Sequence, residues 1–283
     1  MKIAITGARG TVGREVVKLC AQEGHSTVQV NRTPQDKDES VPNTEMRTAD
    51  AASDYDATVA AFERCDAVIH LAAIPNPEGK PDSQVHNNNV NAAFNGLRAA
   101  AEHGIRRFCY ASSVNAIGLA YANQPLRFPY FPIDEEAYPS KPTDAYALAK
   151  AEAELAARAF ADWFPGMKVA CLRIHEVASR QAVREEHATD WAAAGVKQLW
   201  GWVSPVATAR ACLLAVTEAD AYEGCQVFNI VAPDTTQSGT PSADLARKYY
   251  PDAEIRADMS TNRGFWTTDK AKKILGWVHH EKE

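Results

Sequence analysis

The sequence has no hydrophobic run long enough to cross a bilayer. The longest stretch of the 283-residue chain without a charged side chain, residues 108–126, is interrupted by serine, asparagine and glutamine, whereas a membrane-spanning helix needs about 20 apolar residues. The chain also lacks a secretory hydrophobic region, because the apolar stretch that begins at Ile3 reaches Thr6 after only three residues. We therefore expect no membrane partner and a cytoplasmic location.

A surplus of basic side chains is missing as well. The chain has 30 Lys and Arg residues against 36 Asp and Glu residues, which gives a formal net charge of -6 and a pI near 5.8. Proteins that bind nucleic acid usually carry a basic patch that neutralises phosphates. The composition therefore predicts no nucleic-acid partner and favours a small molecule.

Cysteine is sparse and has no paired spacing. The six cysteines stand singly, without a C-x-x-C motif and without the spacing of metal ligands. Most of them have apolar neighbours in the sequence, which is typical of buried thiols. We expect free buried cysteines and no metal site.

The first two thirds of the chain alternate short β-rich runs with longer helical stretches. This order predicts an α/β fold of the Rossmann type, in which a doubly wound parallel sheet has helices on both faces. The predicted strands are 2–6, 27–30, 45–48, 67–71, 107–111, 168–173 and 226–231, and the predicted helices are 12–23, 84–103 and 144–163. Beyond residue 174 the alternation is expected to loosen.

A glycine pattern follows the first predicted strand and opens the first helix. Gly7, Gly10 and Gly13 have the spacing G-x-x-G-x-x-G. In this context the first glycine permits a tight turn, the second lets the backbone approach a pyrophosphate, and the third lets the helix pack on the sheet. The pattern predicts a dinucleotide-binding loop. The loop also contains Arg9, Thr11 and Val12.

The end of the second predicted strand carries no carboxylate, although a carboxylate at this place usually binds the adenosine ribose. Asn31 and Arg32 occupy the position, and the first acid is Asp36. Asn31 does not repel a 2′-phosphate, and Arg9 and Arg32 can reach one. The sequence therefore favours NADP over NAD. Asp50, after the third strand, is a candidate acceptor for the adenine amino group.

Residues suited to acid/base chemistry fall near the carboxyl edge of the predicted sheet. Tyr146 and Lys150 are four residues apart in a predicted helix and therefore share a face. An ammonium near a phenol favours the phenolate, so such a tyrosine can exchange a proton with a substrate hydroxyl. Ser112 and Ser113 follow the fifth strand at the edge where α/β proteins place ligands.

Together these segments resemble an extended short-chain dehydrogenase/reductase of the NAD-dependent epimerase/dehydratase family, and in particular a compact, uronate dehydrogenase-like member. The resemblance implies NADP or NAD as the cofactor and a homodimer formed through helices 84–103 and 144–163. The segments follow the family's order along nearly the whole chain and comprise 6–13, 50, 70–73, 88–91, 110–113, 146 with 150, 172–173 and 269–277.

The resemblance also implies roles for individual residues. Tyr146 would be the acid/base, Lys150 would tune it and hold the nicotinamide ribose, and Ser113 would orient the reacting oxygen. The sequence departs from the family's usual residues at Ile174 and Glu176, where proline or an aromatic residue and an asparagine are common. Further cofactor contacts implied by the family pattern are Ala51, Leu71, Ala72, Ala73, Asn89, Ala111 and Ile174.

No sequence motif identifies the residues that contact the substrate. A histidine on a loop after a strand is more often structural than functional, and aromatic residues at 130, 131, 200, 202, 265 and 266 either pack together or hold a hydrophobic substrate. The candidate substrate contacts are Ser112, Asn115, His175, Glu176 and Trp200.

The expected function is hydride transfer between nicotinamide and a secondary alcohol or carbonyl of a small sugar-like or ketone substrate. Residues 1–173 would form the cofactor-binding core, and residues 174–283 would form mainly a substrate lobe that interleaves with the core through the strand near 226–231. The short second part, without an arginine cluster, argues against a nucleotide sugar. Two alternatives stay open, which are a sugar epimerase or dehydratase with tightly bound NAD and a regulator that senses NAD(P).

Overall fold

Parallel strands form a seven-stranded sheet through the part of the chain that the computed structural model describes, which is residues 1–34, 41–137, 141–187 and 192–281. The strands β1 to β9 are, in chain order, Lys2–Thr6, Ser26–Asn31, Thr44–Thr48, Ala67–His70, Arg107–Ser113, Tyr130–Phe131, Lys168–Ile174, Cys225–Ile230 and Glu254–Ile255. The sheet has the order β3-β2-β1-β4-β5-β7-β8, and the strands β6 and β9 pair separately.

Helices cover both faces of this sheet. The helices α1 to α9 are, in chain order, Thr11–Gln22, Tyr55–Ala61, Asp82–Glu102, Ala145–Trp163, Arg180–His187, Ala192–Gln198, Pro205–Thr217, Ser242–Tyr249 and Asp269–Leu275. Side chains alternate between faces along each strand, so Ile3 and Ile5 pack with α1, α7 and α9, whereas Ala4 faces the layer that contains α3 and α4.

The predicted fold class is confirmed, and every predicted strand and helix lies within a few residues of an observed one. The expected loosening beyond residue 174 is wrong for the stretch that follows β7. Helix α7 continues the strand-helix-strand alternation between β7 and β8, and Ser204 caps its first turn by accepting a 3.0 Å hydrogen bond from Ala207 N. Its sequence is apolar on nearly all sides because the helix is buried between α1 and the sheet, so it shows little amphipathic periodicity.

The strand order places a crevice at the carboxyl edge of the sheet. The chain runs outwards from β1 to β2 and β3 and then returns to β4 on the other side of β1. The loops that leave β1 and β4 therefore lead to helices on opposite faces of the sheet. Ligands of open α/β sheets bind at such a point.

Two further expectations concern membrane segments and cysteines. Within the described ranges, no helix combines the length and the hydropathy that spanning a membrane requires. The six cysteines, all in described parts of the chain, are free thiols, and five of them are buried while Cys225 is partly exposed.

Candidate active site

A cavity of about 1350 Å³ opens at this crevice. Residues that follow β1, β2, β4, β5 and β7 form its wall, so one space reaches from the glycine loop to the start of α4. It brings together most of the predicted site residues, which are Gly7, Arg9, Gly10, Thr11, Val12, Gly13, Asn31, Arg32, Asp50, Ala51, Leu71, Ala72, Ala73, Ala111, Ser112, Ser113, Asn115, Tyr146, Lys150, Ile174, His175 and Glu176.

Asn89 and Trp200 are the predicted site residues that do not line this cavity. The carboxamide of Asn89 is buried and pairs with the backbone of Ile74, accepting from its N–H at 2.7 Å and donating to its carbonyl at 2.9 Å. It therefore shapes the loop after β4 from behind. Trp200 is 4% exposed and packs against Tyr249 and Phe265, which supports the packing interpretation for this aromatic residue.

The glycine loop has no space for larger residues at two of its three glycines. Gly7 has a φ of 66°, which an L side chain rarely adopts. A Cβ on Gly13 would lie 2.5 Å from the carbonyl oxygen of Gly7, so the first turn of α1 packs directly on the loop. Gly10 is the N-cap of α1 and lines the cavity. This backbone cradle at a helix N-terminus fits the pyrophosphate of a dinucleotide.

Two arginines, Arg9 and Arg32, lie at the end of the cavity beside the carboxyl end of β2, which is the predicted adenosine end. Asn31 ends β2 and accepts a 3.2 Å hydrogen bond from the backbone N–H of Arg9, which ties the glycine loop to the strand. The guanidinium of Arg9 donates to the carbonyl and, at 2.9 Å, to the hydroxyl of Thr33. Arg32 is exposed at the same wall, and Asp36 lies outside the described residues.

The hydroxyl of Thr6 holds the loop after β4 against the end of β1. It accepts hydrogen bonds of 3.1 Å from both Leu71 N and Ala72 N. A Cβ on Gly7 would lie 3.1 Å from Ala72 N, so the two loops approach each other closely. This positioning role of Thr6 was not predicted, although a threonine at the end of a buried strand is a visible signal in the sequence.

Tyr146 and Lys150 enter the cavity from the first two turns of α4. Asp144 caps this helix by accepting a 2.8 Å hydrogen bond from Ala147 N. The Lys150 Nζ donates a 2.6 Å hydrogen bond to the carbonyl of Ala111 and lies 5.7 Å from the centre of the Tyr146 ring. The Tyr146 hydroxyl is hydrogen-bonded to Ser113. The three residues implied by the resemblance therefore meet at one place.

Burial dominates the ionisation of both α4 residues. It raises the pKa of Tyr146 to about 12, with a smaller raising effect of Asp144 and an opposing effect of the Ser113 hydrogen bond. Burial also lowers the pKa of Lys150 to about 8, although the negative charge of Glu154 opposes this shift. The expected lowering of the tyrosine pKa by the nearby lysine is not found, since burial raises this pKa and the Lys150 Nζ is bonded to the Ala111 carbonyl.

A buried ion pair lies beneath these residues and was not found from the sequence. The Glu154 carboxylate accepts from Arg173 Nε at 3.0 Å and from Arg173 Nη2 at 2.9 Å, and it also accepts from Ser112 Oγ at 2.6 Å. The Ser112 hydroxyl, predicted as a substrate contact, thus donates to this pair. The spacing of Tyr146, Lys150 and Glu154 at successive turns of one helix indicates that the three side chains share a face, but it does not identify Arg173 as the partner of Glu154.

His175 has a structural role in this geometry, as the more common interpretation predicts. Its Nδ1 accepts from the backbone N–H of Glu176 at 2.7 Å, and its Nε2 donates to the carbonyl of Gln198 at 2.9 Å. A Cβ on Gly201 would lie 2.5 Å from that Nε2, so the ring is enclosed. The Glu176 carbonyl in turn accepts from Val203 N at 2.8 Å, which holds the backbone of this residue at the cavity wall.

Residues 3–230 match the sequence pattern of a family described as "NAD dependent epimerase/dehydratase family". The chain belongs to this family. The match covers the glycine loop, the three residues Ser113, Tyr146 and Lys150, and all seven strands of the main sheet. The recognised family is thereby confirmed.

Individual relatives differ in reaction. L-arabinose 1-dehydrogenase (NAD(P)(+)) from Haloferax volcanii is 31% identical over 65% of this chain and 70% of its own length. A structure titled "Mutated Uronate Dehydrogenase" superposes with a TM-score of 0.66 at 22% identity, over 99% of this chain and 81% of that one. A UDP-galactose 4-epimerase structure superposes with a TM-score of 0.69 at 24% identity, over 99% of this chain and 93% of that one.

The length of the carboxyl-terminal part does not exclude a nucleotide-sugar substrate. The carboxyl-terminal part was expected to be too short for a nucleotide-sugar enzyme, yet this chain superposes on 93% of the epimerase chain. Length therefore does not separate the two classes of substrate. The distinction has to come from the side chains that line the cavity.

Proposed function

We propose that the protein is an NAD(P)-dependent oxidoreductase that moves a hydride between nicotinamide and a secondary alcohol or carbonyl of a small sugar-like substrate. The observation that carries the proposal is the meeting of Ser113, Tyr146 and Lys150 at one end of a cavity whose other end is the glycine loop. The similarity to an NAD(P)-dependent sugar dehydrogenase supports the same reaction type.

The cofactor would lie along the cavity with its pyrophosphate on the N-terminus of α1. Gly7, Gly10 and Gly13 would cradle the pyrophosphate, and Lys150 would hold the nicotinamide ribose. When bound, NAD(P) supplies the hydride donor or acceptor. The residues of this chain supply binding, orientation and the movement of a proton.

Ser113 and Tyr146 would hold the reacting oxygen of the substrate between their hydroxyl groups. During oxidation of an alcohol the Tyr146 phenolate accepts the hydroxyl proton, and during reduction of a carbonyl the phenol donates it. The hydrogen bond from Ser113 to the phenol oxygen favours the phenolate, whereas burial favours the phenol.

We infer a preference for NADP over NAD. Arg9 and Arg32 lie at the adenosine end of the cavity, and Asn31 stands where an acid would repel a 2′-phosphate. The guanidinium of Arg9 already donates to Thr33, so Arg32 is the more accessible of the two cations.

We also propose a homodimer through α3 and α4. These neighbouring helices expose apolar side chains that a monomer would leave in water, and the exposed fractions reach 63% for Leu155 and for Trp163 and 45% for Phe94. Light scattering of the purified chain gives its mass in solution. A mass of one chain at micromolar concentration would contradict the dimer.

The division of labour between the two parts of the chain is likewise a proposal. Residues from 174 onwards that line the cavity, among them Glu176 and Gln198, lie at the substrate end. The later strand β8 and the helix α7 extend the cofactor-binding core. Residues 174–283 would therefore supply the substrate wall while completing the sheet.

Epimerisation is the second candidate, because this chain superposes on nearly the full length of a UDP-galactose 4-epimerase. A spectrophotometric assay of reduced nicotinamide with free sugars, and separately with nucleotide sugars, distinguishes the candidates. Net reduction of added NADP or NAD by a free sugar supports the dehydrogenase. Cofactor that stays bound through purification, with sugar interconversion and no net reduction, would favour the epimerase instead.

A further inference from the structure

Charge is unevenly distributed along the cavity. Among the lining residues that the structure describes, Arg9, Arg32 and Asp50 lie at the adenosine end, and Lys150 lies beneath Tyr146 with its Nζ on the Ala111 carbonyl. The substrate end beyond Tyr146 is lined by the carboxylates Glu78 and Glu176.

Glu176 lies just beyond the catalytic serine. Ser113 and Ile174 are directly paired in neighbouring strands, and Glu176 follows Ile174 by two residues at the same edge of the sheet. Its backbone is fixed on both sides by His175 and Val203. Glu176 therefore lines the cavity two residues beyond the strand position that is paired with Ser113.

Glu78 approaches the same region from the loop after β4. Tyr121 packs edge-on against Tyr146 with ring centres 6.1 Å apart. Burial raises the pKa of Tyr121, and nearby charges, those of Glu78 and Glu176 among them, raise it further. Tyr121, Glu78 and Glu176 line the same cavity as Tyr146.

Among the lining residues that the structure describes near Glu176, the polar side chains include three amides. Asn115 follows Ser113 by two residues, the backbone carbonyl of Gln198 accepts a hydrogen bond from His175, and Asn76 accepts from the backbone N–H of Glu78 at 3.2 Å. Carboxylates, amides and a tyrosine together accept and donate many hydrogen bonds. Apart from Lys150, which is bonded to the Ala111 carbonyl, the lining side chains described in the structure at this end provide no cation for a carboxylate or phosphate of the substrate.

We infer that the substrate is an uncharged polyhydroxylated molecule of the free aldose type, and that sugars carrying a carboxylate or phosphate away from the reacting carbon are rejected. The inference rests on the proposed function and names the substrate class of the same site. Hydroxyl groups would donate to Glu78 and Glu176, whereas an anionic group would face two like charges.

The test compares an aldose with its own uronic acid, for example galactose with galacturonate, which differ only at the carbon farthest from the reacting one. We expect kcat/KM for the aldose to exceed that for the uronate by about tenfold or more. Glu176→Gln and Glu78→Gln should each raise the uronate-to-aldose ratio by about threefold or more, since each removes one repelling charge. Glu218→Gln, on the exposed end of α7 and outside the cavity, should leave the ratio unchanged.

The outcomes separate the inference from the proposed function. A native preference for the uronate or for an amino sugar, or a ratio that both glutamate variants leave unchanged, would overturn the inference while the dehydrogenase stands. Binding of NAD(P) without turnover of any free sugar would overturn the proposed function, and the inference with it.

Discussion

The carboxylate of Glu154 and the guanidinium of Arg173 form a two-point ion pair in the interior, with 3% and 1% of their side chains exposed. The pair joins α4 to β7, and the Ser112 hydroxyl donates to the same carboxylate. It therefore links the helix that carries Tyr146 to the strand end that carries Ser113.

Breaking this pair should destabilise the protein strongly. Glu154→Gln keeps the shape of the side chain but leaves the Arg173 charge uncompensated in the interior, which costs about 3–5 kcal/mol. Urea denaturation measures the loss in free energy of unfolding. Glu152→Gln is the matched control on the same helix, since its partner His86 is partly exposed and the pair should contribute less than about 1 kcal/mol. Equal effects of the two substitutions would refute the role assigned to the buried pair.

Lys150 should lose its proton near pH 8. Burial lowers its pKa to about 8, and the charge of Glu154 opposes the shift, so Glu154→Gln should move the titration to lower pH. NMR of the lysine side chain measures both values, with Glu152→Gln as the variant expected to leave the titration in place. A titration near the ordinary 10.5 in the native chain would contradict the burial of this ammonium.

The same shift predicts the sign of one contribution to stability. From pH 8 to 10.5 the unfolded chain keeps the Lys150 proton that the folded chain has lost, so this group makes the folded state more stable as pH rises through that interval. Below pH 8 the full cost of burying the ammonium is present. The free energy of unfolding of Lys150→Met, compared with the native chain across this interval, should lack that rise.

A methyl group added to the glycine loop should lower stability at Gly13 and weaken cofactor binding at Gly10. Gly13→Ala places a Cβ at 2.5 Å from the Gly7 oxygen and should cost about 1–3 kcal/mol of stability. Gly10→Ala meets only that oxygen, at 3.3 Å, and its methyl group faces the exposed side, so stability should fall by less than about 1 kcal/mol. Its cofactor Kd should nevertheless rise about tenfold. Thermal unfolding and nucleotide titration measure the two effects, and native-like nucleotide affinity in Gly10→Ala would argue against a pyrophosphate at this loop.

Asn31→Asp should change the preference between the two nucleotides. Aspartate can still accept the hydrogen bond from Arg9 N. Its negative charge repels the 2′-phosphate of NADP, whereas its carboxylate accepts a hydrogen bond from the 2′-hydroxyl of NAD. We expect the NADP-to-NAD ratio of kcat/KM to fall by about tenfold or more. A native ratio that already favours NAD would show that the preference proposed for NADP is wrong.

Local patterns identify much of this fold and of its candidate site. The glycine spacing and the Tyr146–Lys150 spacing are visible within single segments, and the structure brings both to the predicted edge of the sheet. The sequence pattern did not predict helix α7, because a helix that is buried on nearly all sides has no polar stripe. The partnership of Glu154 with Arg173 depends on the packing of α4 against β7, which no spacing along the chain encodes.

Asn89 and Trp200 illustrate the same limit at the site. Each belongs to a segment that approaches the cavity, yet Asn89 bonds to Ile74 behind the wall and Trp200 packs into an aromatic cluster. Which face of a segment meets the cavity depends on neighbouring elements. Family patterns and aromatic content locate such a segment, but they do not orient its side chains.

The most direct test of the account is the Tyr146→Phe variant, measured for nucleotide binding and for turnover. Phenylalanine keeps the ring that packs against Tyr121 and removes only the hydroxyl that is hydrogen-bonded to Ser113. The account predicts an NAD(P) Kd within about threefold of the native value and a kcat lower by about 10²–10⁴-fold, because proton transfer is lost. Turnover at the native rate in Tyr146→Phe would contradict the acid/base role on which the proposed function depends.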